Sequence, residues 1–178
     1  MVYSNSTSEN SISIESNLVF IDSNIDNYQT LISGVNNAEI ILLDSTRDGI
    51  EQITETLSNY DDVSSIEILS HGQEGSLQLG SATLNHSNLE RYASELTSWS
   101  ESMTLNGDIL LYGCNIAAGA TGVDFIDQLS QLTDADIAAS NDLTGNSQLG
   151  GDWNLELVSG EIETITAISS AARNAFNS

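Results

Sequence analysis

Short apolar runs, each bounded by polar or glycine-containing turns, alternate along the chain with segments of helical period, and this pattern limits the fold more than any other feature. LVFI (Leu18 to Ile21), EIILL (Glu39 to Leu43), SIEIL (Ser65 to Leu69), DILLY (Asp108 to Tyr112) and the run from Asp136 to Ala139 read as strands. Their nearly continuous apolar character suits burial on both faces. Between them, Asn27 to Gly34 reads as a short helix closed by glycine, and Gly49 to Tyr60 sets Ile50, Ile53 and Leu57 at helical spacing. A helix starting at Asn85 or Ser87 and running to about Met103 carries Leu89, Tyr92, Ala93, Leu96 and Trp99 on one side, and another carries Val123, Phe125, Ile126 and Leu129. Ser76 to Leu84 alternates around Gly80 as a small satellite hairpin on the sheet edge, and Trp153 to Val158 reads as a sixth strand after a turn-rich loop from Ser140 to Gly151. Right-handed crossovers then give a three-layer α/β sandwich around a mostly parallel six-stranded sheet. Residues 1–16, polar and without period, read as a flexible arm; 17–168 form one α/β domain, and 169–178 a frayed tail.

Charge excludes several classes of partner. Twenty-six acidic side chains face three basic ones, Arg47, Arg91 and Arg173, for a formal charge of −23. Three scattered arginines make no basic patch, so nucleic-acid and anionic-membrane binding are not expected. No run reaches the ~18 apolar residues of a membrane span, and the first residues lack the basic and apolar regions of a secretory signal peptide. Cys114 is the only cysteine, which rules out an intrachain disulfide and a cysteine-rich zinc site. Repulsion among so many carboxylates makes calcium a possible stabiliser, although no ordered calcium-loop spacing is present.

In a parallel sheet, chemistry collects at the carboxyl ends of the strands. Those ends offer Asp22, Asp44, Ser70-His71-Gly72, Gly113-Cys114-Asn115 and Ser140-Asn141-Asp142. If the strands ending at His71 and Cys114 are neighbours, about 4.8 Å apart, imidazole and thiol face one cleft. An ordinary thiol is mostly protonated at neutral pH, so an adjacent imidazole would supply the base. The N–H groups of Gly72 and Cys114 are candidate oxyanion donors. Glycine at position 72 would let a substrate carbonyl approach the backbone, and Gly113 would permit a sharp exit from its strand. Asp22 and Asp44 are possible orienting groups, although local turn bonds are the simpler reading for both. His86 reads as a surface or capping residue, and Trp99 and Trp153 as core aromatics. No metal ligand set is evident, and no glycine-rich loop follows the first strand, which disfavours a nucleotide binder.

The ILSHG and ILLYGC segments, histidine first and cysteine second, resemble the catalytic frame of the caspase, legumain and gingipain group of cysteine peptidases. From LVFIDSNI to AASNDLTGNSQLGGDWNLE, roughly residues 17 to 157, the chain also looks like a domain of unknown function at the amino end of very large bacterial surface and repeat proteins. The resemblance implies a caspase-like fold, with Cys114 as nucleophile, His71 as acid and base, Gly72 and Cys114 holding the oxyanion, and no required cofactor. It points to Ser140, Asn141 and Asp142 as a substrate pocket in which Asp142 favours a basic residue before the cleaved bond. The Gln-Ala-Cys-Arg-Gly context of caspases is absent, Tyr112-Gly113-Cys114-Asn115 standing in its place, so aspartate specificity is not implied. The expected function is an endopeptidase that processes a large secreted surface protein, its own parent chain included, with Arg173 a candidate self-cleavage site. The alternative is a non-catalytic head domain that binds a partner at the same cleft. Either implies an extracellular or cell-surface location reached without an N-terminal signal peptide.

Overall fold

The computed structural model describes residues 16–176, so the expected arm at 1–16 lies outside the described residues except for Ser16. The sheet contains β1 (Ser16–Asp22), β2 (Glu39–Leu43), β3 (Val63–Leu69), β7 (Met103–Tyr112), β8 (Asp136–Ala139) and β9 (Leu157–Ser159). Their order is β2-β1-β3-β7-β8-β9, and every pairing is parallel except that of β8 with β9. The mostly parallel six-stranded α/β sheet read from the sequence is the architecture observed.

Helices α2 (Gly49–Leu57), α3 (Ala93–Ser102) and α4 (Gly119–Thr133) cover one face. Ile50, Ile53 and Leu57 of α2, Leu96 and Trp99 of α3, and Phe125, Ile126 and Leu129 of α4 meet Leu18, Phe20, Ile66, Ile68, Ile109 and Leu111 of the sheet. Each such side chain, fully buried, contributes roughly 1.5–3 kcal/mol by leaving water. Helix α2 starts where Asp48 accepts hydrogen bonds from the N–H groups of Ile50 and Glu51. The opposite face carries α1 (Tyr28–Ile32) and α5 (Ser170–Ala175), packed through Leu31, Ala172 and Phe176 on Val19, Ile21, Leu110 and Tyr112. These two layers make the predicted sandwich.

Three elements differ from the sequence reading. The hairpin β5 (Ser76–Leu79) and β6 (Ala82–Asn85) does not extend the main sheet: it pairs with β4 (Gly72–Gln73) as a separate antiparallel sheet. Leu77, Leu79 and Leu84 are buried in the same core as the α2 and α3 side chains, so the hairpin is part of the core rather than a satellite. The sixth strand starts at Leu157 rather than Trp153, because Trp153 turns inward onto Tyr112 and Phe176. It runs antiparallel because no crossover helix lies between it and β8. The described part of the tail, 169–176, is not frayed: Ser169 caps α5, and Ala172 and Phe176 are buried.

Candidate active site

Strands β3 and β7 are neighbours and end in register, Leu69 opposite Tyr112. The ladder continues one step through the bond from Ser70 N–H to the Tyr112 carbonyl, and both chains then leave the sheet together. His71 and Cys114 consequently line one cavity of about 80 Å³ with Leu31, Tyr112, Trp153 and Phe176.

Two glycines make this close exit possible. A Cβ on Gly72 would sit 2.5 Å from Ile116 Cγ1 and 3.0 Å from the Cys114 carbonyl, and one on Gly113 would sit 2.8 Å from the Ser70 carbonyl. The room left by the missing Gly72 side chain is therefore filled by the cysteine turn itself, which corrects the expectation that it receives a substrate carbonyl. What it provides is proximity of the two turns.

The imidazole has a partner that the sequence did not reveal. His71 is exposed, and its Nε2 lies 3.3 Å from the Asn24 carbonyl oxygen. A carbonyl only accepts, so this bond requires the proton on Nε2 and leaves Nδ1 as the basic nitrogen. Asn24 is held by the fully buried Asp22, whose Oδ1 accepts from Asn24 N–H at 2.8 Å and whose Oδ2 accepts from Gly80 N–H at 2.6 Å. The Asn24 side chain also donates to the Gly80 carbonyl at 3.0 Å. Asp22 thus acts on His71 at one remove, through Asn24. Asp44 is engaged locally, accepting from Thr46 N–H and Oγ1–H, and these bonds hold its carboxyl below the usual range.

Half-buried Cys114 directs its thiol to the Thr144 carbonyl, 3.8 Å away. Among the described residues, no backbone acceptor engages the Cys114 N–H, whereas those of Asn115 and Ala117 donate to the Asp142 and Ser140 carbonyls. Gln78 N–H donates to the His71 carbonyl, which marks Gly72 and Leu77 as a non-hydrogen-bonded pair and turns the Gly72 N–H away from β5. Both candidate oxyanion donors are therefore disengaged from the backbone ladder.

The Ser140 and Asp142 carbonyls hold the cysteine turn, Asn141 N–H donates to Glu156 instead, and none of the three lines the cavity. The exposed Asp142 carboxyl is pushed up, first by partial desolvation and then by the charges of Glu156 and Asp152. Carboxylate oxygens of these three residues lie within 4.8 Å of one another, one of two acidic clusters among the described residues with the spacing to hold a metal ion. Trp99 is a core aromatic, but half-buried Trp153 is a wall of the cavity. Thr144 lines it too, with a buried hydroxyl that has no hydrogen-bond partner, and Phe176 closes one side. Their sequence signals were weak, since Thr144 sits in a turn-rich loop and Phe176 in the segment read as frayed. His86 stands apart, 3.0 Å from the Gln128 amide. Arg173 lies in α5, so cleavage after it requires that helix to unwind.

Among the described residues no helix is long and apolar enough to cross a membrane. No curated protein and no solved structure gives a significant match. One family model does, over residues 18–178, and the chain belongs to that family, which is described as a domain of unknown function, DUF4347.

Proposed function

We propose that the protein is a cysteine endopeptidase in which Cys114 and His71 form the dyad. The observation that supports this reading is the opening of thiol and imidazole onto one cavity, at the carboxyl ends of adjacent parallel strands, with two disengaged N–H groups beside them. In the proposed reaction the thiol rotates from Thr144, gives its proton to His71 Nδ1, and attacks the peptide carbonyl. The oxyanion takes hydrogen bonds from the Gly72 and Cys114 N–H groups. Collapse breaks the C–N bond as His71 returns the proton to the leaving amine. Water, activated by the same imidazole, then hydrolyses the thioester and frees the thiol. This chemistry requires no metal, and calcium would serve structure.

A basic residue before the cleaved bond is favoured by Asp142, Asp152 and Glu156, which lie beside the cysteine turn outside the cavity lining and whose mutual repulsion a cationic side chain reaching past the cavity would relieve. The substrate class is polypeptide, the parent chain or its neighbours at the bacterial surface, with autoprocessing at an exposed site. Cleavage of a peptide library tests this: preference for Arg or Lys supports it, and preference for aromatic residues would assign specificity to the apolar walls formed by Tyr112 and Trp153.

A caspase-like head domain that binds without cleaving is the second reading. It is favoured by the thiol facing Thr144 rather than His71, and by Phe176 closing the cavity. Absence of turnover together with saturable peptide binding would select it.

A further inference from the structure

Three acidic side chains stand on one face of adjacent strands, because Ser65 pairs with Asp108 and Asp108 with Asp136, and Glu67 is two residues beyond Ser65. The segment 160–167 crosses this face and is tied to it by its own backbone. Asp136 Oδ2 accepts from Glu161 N–H at 3.1 Å, and Asp108 Oδ2 from the N–H groups of Glu163 and Thr164 at 3.1 and 2.8 Å. Glu67 accepts from Ala167 N–H and Thr166 Oγ1–H. These bonds account for only part of the acceptor capacity. Asp108 is 1% exposed, and its Oδ1 is buried with no hydrogen-bond partner. A buried carboxylate oxygen left without a partner is costly.

Glu163 brings a third carboxylate to the same place: one oxygen each from Asp108, Asp136 and Glu163 lies within 4.8 Å of the others. Among the described residues no arginine forms an ion pair with them. The chain has three basic residues in all. Arg47 is bonded to Glu55, Arg91 lies over Tyr92, and Arg173 acts on Glu67 and Tyr112. An all-oxygen set with oxygens this far apart suits a hard divalent ion with ligands at about 2.3–2.6 Å and flexible coordination.

We infer that Asp108, Asp136 and Glu163 bind a divalent cation of the calcium class, which fastens the 160–167 segment across the sheet. Asp108 Oδ1 is the buried ligand, Glu163 closes the site from the solvent side, and water completes the shell. Calcium is favoured over magnesium because three carboxylates so spaced, one of them exposed, supply no octahedral frame. The inference does not rest on the thiol chemistry.

The test is calorimetric titration of the EDTA-treated full chain with calcium chloride and, separately, magnesium chloride, with thermal melting in parallel. A saturable calcium isotherm with a matching rise in Tm, weaker with magnesium, is expected. Glu163→Gln keeps the backbone N–H that bonds Asp108 and removes only an exposed ligand, so it should fold and bind calcium about tenfold more weakly or worse. Glu156→Gln, in the other acidic cluster, should leave the isotherm unchanged. No saturable binding to the unaltered chain, equal affinity in Glu163→Gln, or loss of binding in Glu156→Gln would each overturn the assignment.

Discussion

Replacing Asp22 by asparagine tests how the imidazole is positioned. The fully buried carboxylate takes two short N–H bonds, from Asn24 at 2.8 Å and Gly80 at 2.6 Å. Asparagine offers one acceptor oxygen and one NH₂ group, so either the Asn24 or the Gly80 N–H must then face a donor. A bond to a charged group contributes about 1.5–3 kcal/mol, and an unsatisfied buried donor costs about 1–3 kcal/mol. Because these quantities overlap, the expected loss is about 2–4 kcal/mol, read from urea unfolding. At roughly 2–4 °C per kcal/mol for a chain of this size, Tm should fall by about 5–15 °C. Below that temperature the protein stays folded, but the Asn24 carbonyl that holds His71 Nε2 is loosened. Modification of Cys114 by a peptidyl electrophile should therefore slow severalfold, while its reaction with iodoacetamide changes little. Unchanged stability would refute the energetic argument, and an unchanged peptidyl rate despite lost stability would refute the positioning argument.

Other perturbations separate packing from electrostatics. Gly72→Ala drives a Cβ against Ile116 and the Cys114 carbonyl, costing about 1–3 kcal/mol, and Ile116→Ala should recover part of that loss in denaturant unfolding. Burial is the main force raising the Glu67 carboxyl, against the Ala167 and Thr166 bonds, so its ionisation in the folded state opposes folding. The folded pKa lies above the unfolded one; stability from this group is fully present below the unfolded pKa and lost as pH rises through the folded pKa. Glu67→Gln, whose amide oxygen can accept from Ala167 N–H while its NH₂ donates to Thr166 Oγ1, should therefore gain stability relative to the unaltered protein as pH rises from 4 to 7, and a relative gain that shrinks over that range would contradict the account. Phe176→Ala should open the cavity and speed peptidyl labelling of Cys114, with a stability loss below the ~3–5 kcal/mol of a core Phe→Ala change because a six-residue helix can detach locally.

Strands with a continuous apolar run were legible in the sequence: β2 and β8 span the segments expected, and β1, β3 and β7 contain theirs. Their parallel order put His71 and Cys114 at one edge of the sheet. What could not be read depends on contacts between distant residues. Asn24 acts through its backbone carbonyl, for which any residue would serve, so its side chain gives no signal. Glu67, Asp108 and Asp136 fall within the expected strand runs, yet their donors lie in a distant segment; Thr166, for instance, stands 99 residues from Glu67. Trp153 has core composition but turns into the cavity because Tyr112 and Phe176 are placed there by the fold. The hairpin read as peripheral shares the core of α2 and α3, which its own alternation cannot disclose.

The central claim is that Cys114 and His71 work together, and it is tested most directly by the rate at which a peptidyl electrophile carrying arginine next to its reactive group labels Cys114. The comparison sets the unaltered protein against His71→Ala, with iodoacetamide as the measure of simple thiol access. The account predicts fast labelling that collapses in His71→Ala while the iodoacetamide rates of the two proteins stay similar. Equal rates in both proteins, no faster than those of a free thiol, would contradict it and select the binding module.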